Sequence, residues 1–149
     1  MPTVSLNMES TGGERSDVRK GGMNYGIKGM PVFKKGISFV CINARSLLPK
    51  MMEVKRMLDS SSASILAISE TWLDANVRDE EVAVQGYSIL RRDRNRHGGG
   101  VLLYIRDSLA FNRRQDLELE GIESVWAEIL LPKSRGIFVG SMYRVSQKK

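Results

Sequence analysis

The apolar positions of this chain fall into short runs separated by polar and glycine-rich turns, and the spacing inside each run predicts its element. Ile37-Ser-Phe-Val-Cys-Ile42 is β-branched and aromatic enough to predict a buried strand. Ser64-Ile-Leu-Ala-Ile68 is a second run of the same kind. Between them Met51, Val54 and Leu58 fall on one face at helical spacing, so Lys50 to Leu58 reads as a helix. Lys50, Glu53, Lys55 and Arg56 then face water, and Pro49 suits the first turn. The methionine of that stripe reads as core packing. A strand, a crossover helix and a strand make a βαβ unit with parallel strands, whose C-terminal ends share one edge. Asn43 follows the first strand and Glu70, in Ser69-Glu-Thr-Trp72, follows the second, so the two are expected side by side. In open α/β sheets that edge is where ligands sit, and an amide beside a carboxylate suits a hard cation and a phosphate.

After Trp72 the pattern loosens. Leu73 to Gln85 is acidic and polar and reads as a surface loop or a short helix. Gly86-Tyr-Ser-Ile-Leu90 predicts an edge strand, the stretch from Arg91 to Gly100 a turn, and Val101-Leu-Leu-Tyr-Ile105 a further strand. Glu123 to Leu130 alternates, with Val125, Ala127 and Ile129 on one face and Trp126 on the other; Pro132 to Gly136 is a hairpin turn and Ile137 to Tyr143 the last strand. Strands from Tyr87 onward are joined by turns, so they should be largely antiparallel. The expected fold class is α/β (α+β), a mixed sheet with helices on one face and no internal repeat.

Residues 1–36 show no sustained period. Scattered glycines raise the entropy cost of ordering them. They read either as a flexible basic leader or as a non-conforming stretch upstream of the real domain. The 149 residues predict one core, and 42% apolar with 27% charged content is ordinary for a globular protein. A net charge of +6 permits an anionic partner without establishing one. Cys41 is the one cysteine, which excludes an internal disulfide, and no Cys/His cluster offers a zinc site. Neither a membrane span nor a signal-peptide core is visible, so an intracellular setting is expected. From Arg91 to Arg114 there are seven Arg (91, 92, 94, 96, 106, 113, 114) against Asp93 and Asp107. Such a region reads either as forks for phosphate or as a solvated hairpin that keeps a sheet edge from aggregating. His97 reads as a plain turn residue.

Several of these stretches together resemble a known family. Asn43-Ala-Arg-Ser-Leu47, Ile68-Ser-Glu-Thr-Trp-Leu73, Gly86-Tyr87, Arg92-Asp-Arg94, Gly98-Gly-Gly-Val101, Tyr104-Ile-Arg-Asp107 and Ser124-Val-Trp126 occur in an order and spacing similar to the endonuclease domain of non-LTR (LINE-type) retrotransposons. That domain is a branch of the exonuclease–endonuclease–phosphatase superfamily, which includes DNase I. The resemblance covers about residues 37 to 144. It implies a four-layer α/β sandwich of the DNase I-like type and hydrolysis of DNA phosphodiesters. It implies that Asn43 positions the scissile phosphate, that Glu70 holds a divalent ion, normally Mg2+, and that Tyr143 of Met142-Tyr-Arg144 contacts the phosphate. Arg92, Arg94, Arg96 and Arg106 would hold the DNA backbone without reading bases. A functional protein of this kind would be nuclear.

Departures from the family pattern carry their own expectations. The later Asp-x-Asn and Ser-Asp-His motifs, the second of which supplies the His–Asp pair that activates water, are absent. His97 lies in a turn of the wrong strand pair to replace it. Residues 37–149 therefore read as a truncated domain, about the first half of the sandwich, inactive alone. The second sheet is expected to come largely from the later half. The apolar residues of Ile37–Ile42, Ile65–Ile68, Val101–Ile105 and Val125–Ile129 are then expected to be left uncovered, and the isolated chain to aggregate or stay molten. The alternative function is a non-catalytic nucleic-acid-binding or vestigial fragment of a decayed element. A phosphoesterase of small phosphates or lipids is disfavoured by the Ser69-to-Leu73 and triple-glycine stretches.

Overall fold

The computed structural model describes the backbone of residues 3–7 and the whole of residues 36–145. A five-stranded sheet has the order β1-β2-β3-β5-β4. Its members are β1 (Thr3–Asn7), β2 (Phe39–Asn43), β3 (Ile65–Ser69), β4 (Tyr87–Arg92) and β5 (Val101–Arg106). β1, β2 and β3 run parallel, whereas β5 is antiparallel to both β3 and β4. The sheet is therefore mixed, as the crossover and the tight turns predict. β1 was not expected: it pairs with β2 from Thr3 opposite Phe39 to Asn7 opposite Asn43. Apart from Gly36, the rest of the basic leader lies outside the described residues.

The crossover helix α1 (Met51–Ser61) follows a 3-10 turn at Leu48–Lys50 and ends on Ser62, whose left-handed backbone donates its N–H to the Leu58 carbonyl at 2.9 Å. Met51, Val54 and Leu58 are buried as the periodicity predicts. Lys50 is not the solvated residue expected. It is 7% exposed, and its ammonium donates to the carbonyls of Ala44 and Arg45, clamping the β2–α1 loop.

α1 covers one face of the sheet, against Val40, Ile42, Leu66, Ile68, Leu102 and Tyr104. The acidic stretch after Trp72 completes that cover. Its charged residues reach water, while Leu73, Val77, Val82 and Val84 are buried, and the Tyr104 hydroxyl donates to the Val82 carbonyl at 2.6 Å. Between them, a single 3-10 turn occupies Asp79–Glu81.

The opposite face is covered by a second sheet of order β6-β7-β8, all antiparallel: β6 (Ala110–Arg113), β7 (Glu123–Leu130) and β8 (Ile137–Tyr143). Ile65, Val101, Leu103 and Ile105 pack against Val125, Ala127, Ile129 and Val139. The expectation that these strands would be left uncovered is corrected by this packing. The β7–β8 hairpin itself supplies the covering layer, and Ile65, Val101, Leu103, Ile105, Val125 and Ile129 are fully buried. At roughly 1.5–3 kcal/mol for each buried aliphatic side chain, this second core is a major share of the stabilisation. The Ser141 hydroxyl also crosses the gap to the Ile68 carbonyl at 3.1 Å.

Candidate functional site at the end of the parallel strands

Asn43 is the last residue of β2 and lies opposite Ser69, the last of β3. The two chains stay zipped beyond the strands: Ala44 donates to Ser69, Ser46 to Glu70 and Leu47 to Thr71, all backbone to backbone at 2.9–3.0 Å. Asn43 and Glu70 are thereby brought to one edge, as the βαβ reading predicts. The Asn43 side-chain oxygen accepts the Arg45 N–H at 3.2 Å, opening a turn in which Arg45 (φ 43°) and Ser46 (φ 79°) are left-handed.

Glu70 and Trp72 are left-handed too, each with φ 53°. Non-glycine residues rarely adopt this conformation, and a run of them needs its surroundings to impose it. Here the glycine turn does so: Thr71 donates to the Gly100 carbonyl at 3.2 Å and Trp72 to the Gly99 carbonyl at 3.0 Å. Gly99 (φ 67°) and Gly100 (φ 83°) are left-handed and packed tightly, with the Glu123 carboxylate and Arg94 filling the space a Gly99 side chain would need.

The second sheet delivers the other half of the site. Glu123 opens β7 and Tyr143 closes β8, and the two are register partners. Glu123 uses one carboxylate oxygen to accept the Gly100 N–H at 2.7 Å and the other to meet Arg94 at 3.3 Å. Burial pushes the Tyr143 phenol up, the Glu70 carboxylate adds to the rise by charge and hydrogen bonding, Arg94 opposes it and Glu123 reinforces it. Tyr143 thus faces Glu70, Arg94 and Glu123. Among the described residues, the Thr71 hydroxyl and the Trp72 indole N–H are buried without a hydrogen-bond partner.

The arginines expected to meet DNA are not all here. Arg94 belongs to the cluster through Glu123, Arg92 donates to the Leu119 carbonyl at 3.2 Å, and Arg96 is exposed. Arg106 stands apart, at the opposite end of β5, where its N–H meets the Ser64 carbonyl and its side chain approaches the Tyr87 hydroxyl. Much of the Arg91–Arg114 charge is compensated locally: Arg91 pairs with Asp79 and Asp93, Arg113 with Glu118, and Arg114 with Asp116 and Glu128. Glu123 and Thr71 were not singled out in the sequence. A hairpin folded about Pro132–Gly136 does set Glu123 opposite Tyr143, so the signal was present in the strand register.

Among the described residues no group of three or more His, Cys, Asp or Glu side chains is arranged to hold a metal ion. Compared with protein-family models and with curated proteins, the sequence matches none. No described helix is long and apolar enough to cross a membrane.

Proposed function

We propose that the edge bearing Asn43, Glu70 and Tyr143 binds a DNA phosphodiester and a divalent cation as part of an endonuclease of the retrotransposon exonuclease–endonuclease–phosphatase type acting in the nucleus, with hydrolysis resting on a water-activating pair that the described residues do not supply. The observation that carries this reading is the convergence of Glu70 from the first sheet with Tyr143 from the second, beside Asn43. A helix layer and two stacked sheets are also layers of a DNase I-like sandwich, which supports the reading. The donor set fits magnesium of a particular kind. Mg2+ keeps several waters and commonly takes one or two carboxylates plus substrate phosphates. Glu70, half-buried at the edge, with Asn43 beside it, therefore suits a site completed by the phosphate and weak without it. When bound, the cation would polarise the phosphoryl oxygens and stabilise the leaving alkoxide.

The chain's own residues position the substrate. Asn43 has its side-chain oxygen engaged by Arg45, which leaves its amide N–H groups as donors to a phosphate oxygen. Tyr143 donates its one phenolic proton to the Glu70 carboxylate and would turn it to a phosphate oxygen when a cation takes that carboxylate. Arg94 adds positive charge beside it, and Arg92 and Arg96 extend along the same turn. A second reading, binding without cleavage, is favoured by His97. It is the one histidine of the chain and is exposed on the Asn95–Gly98 turn; among the described residues no hydrogen bond orients its imidazole to activate water.

Nicking of supercoiled plasmid in magnesium separates the readings. Hydrolysis predicts nicking that falls about 100-fold or more in Glu70→Gln and less in Tyr143→Phe. Retained DNA binding that weakens with salt and with charge reversal at Arg92 and Arg94, without nicking, selects the second reading. Nicking unaffected by Glu70→Gln overturns the site.

A further inference from the structure

We propose that Glu123 is the positioning residue of this edge, holding the glycine turn through which the Glu70 segment is aimed. The inference deepens the phosphodiester reading and rests on it for its functional arm. The route is short and continuous. One Glu123 oxygen accepts the Gly100 N–H at 2.7 Å, the Gly100 carbonyl accepts the Thr71 N–H at 3.2 Å, and the Gly99 carbonyl accepts the Trp72 N–H at 3.0 Å. Thr71 and Trp72 directly follow Glu70, whose own left-handed backbone is anchored on its other side through the Ser46 N–H. Strain of this kind persists only where contacts over-determine it. Glu123 is the side chain that supplies such a contact from the second sheet. Its carboxylate occupies the space beside Gly99, and Arg94, at 3.3 Å, neutralises the charge that burial would otherwise penalise. Because Glu123 lies opposite Tyr143 in the hairpin, one carboxylate ties the position of the phenol to the position of the Glu70 segment.

The placement makes a division that the conservative substitution exposes. Glutamine keeps an oxygen for the Gly100 N–H and drops the charge; alanine drops both. The test is amide hydrogen exchange on the full chain, comparing Glu123→Gln with Glu123→Ala and reading Gly100, Thr71 and Trp72 against Ser62 and Arg106 at the far end of the strands. In Glu123→Ala the three edge amides should exchange about tenfold faster or more while Ser62 and Arg106 hold their rates, and Glu123→Gln should restore most of the protection. In the nicking assay the alanine variant should lose kcat with KM little changed, and the glutamine variant should recover it. Acceleration at Gly100 alone, with Thr71 and Trp72 unmoved, overturns the proposal, as does an equal rise at all five amides. Should wild-type protein fail to nick DNA, hydrolysis by this chain falls while the exchange result still decides whether Glu123 positions the edge. Arg94→Ala provides a variant that keeps the carboxylate, and the Gly100, Thr71 and Trp72 protection should survive in it; its loss there would assign the role to the ion pair instead.

Discussion

Gly86 and Gly100 share a backbone conformation, φ 83° in each, and differ in what surrounds it. A side chain at Gly86 would meet nothing within 4 Å, whereas one at Gly100 would collide with the Thr71 hydroxyl. Gly86→Ala should therefore cost only the left-handed strain, about 1 kcal/mol. Gly100→Ala should cost more, by roughly 1–3 kcal/mol, and should disturb the Thr71–Trp72 segment. Urea unfolding of the two variants measures the difference, and equal costs would mean that the turn gives way freely. At this scale Asn43 and Glu70 were legible because each directly follows an apolar run, so local pattern alone sets its edge. Lys50 was misread because helical periodicity places its Cα on the polar side but says nothing of a long stem folding back to loop carbonyls. Glu123 was passed over because its carboxylate works on another sheet, a contact that no local period encodes.

Between β6 and β7 a 3-10 turn at Gln115–Leu117 is pinned by Glu118. Burial works to raise the Glu118 carboxyl, but the Arg113 guanidinium, with two contacts at 2.9 Å, and the Trp126 N–H at 3.2 Å outweigh it, and the pKa settles below its ordinary 4.5. A carboxylate with a lowered folded-state pKa adds stability that is present above the unfolded value and lost as pH falls through the folded one. Glu118→Gln should thus lower Tm at neutral pH, by the equivalent of about 1–3 kcal/mol, and the gap from wild type should close below pH 4.5. A gap that stays constant through acid would show that the pair contributes nothing. The elements themselves were unevenly legible. β3, β5, β7 and β8 were placed within a residue because each carries its own apolar run or alternation. β1 and β6 were missed, and both are edge strands of four or five residues with at most two aliphatic or aromatic positions. Such strands take their conformation from the neighbouring ladder more than from their own sequence.

Among the described residues, the helix and the two sheets bury both faces of the first sheet but only one face of the second. Sequence alternation identified the apolar faces correctly and misjudged their cover, because which layer a hairpin packs on is a tertiary choice. Outward on β8, Phe138 is 50% and Met142 55% exposed, with Leu130 two residues along β7 from the partner of Phe138 and the Arg114 guanidinium 4.9 Å from the Phe138 ring as partial cover. An apolar stripe on an edge strand favours association. Sedimentation should show concentration-dependent self-association that the double change Phe138→Ser, Met142→Ser weakens about tenfold or more while Tm is little altered. A wild-type protein that stays monomeric at high concentration would remove that surface from consideration. The strand order has a consequence of another kind, for the sequence of assembly. Thr3–Asn7 is made before its partner but sits on the rim, paired among the described residues only with Phe39–Asn43. A lone parallel pair is too weak to persist in water, so the rim strand has no lasting berth until Ile65–Ser69 has joined Phe39–Asn43 through the helix. On the ribosome, then, this amino-terminal strand is born before its partners and secured after them.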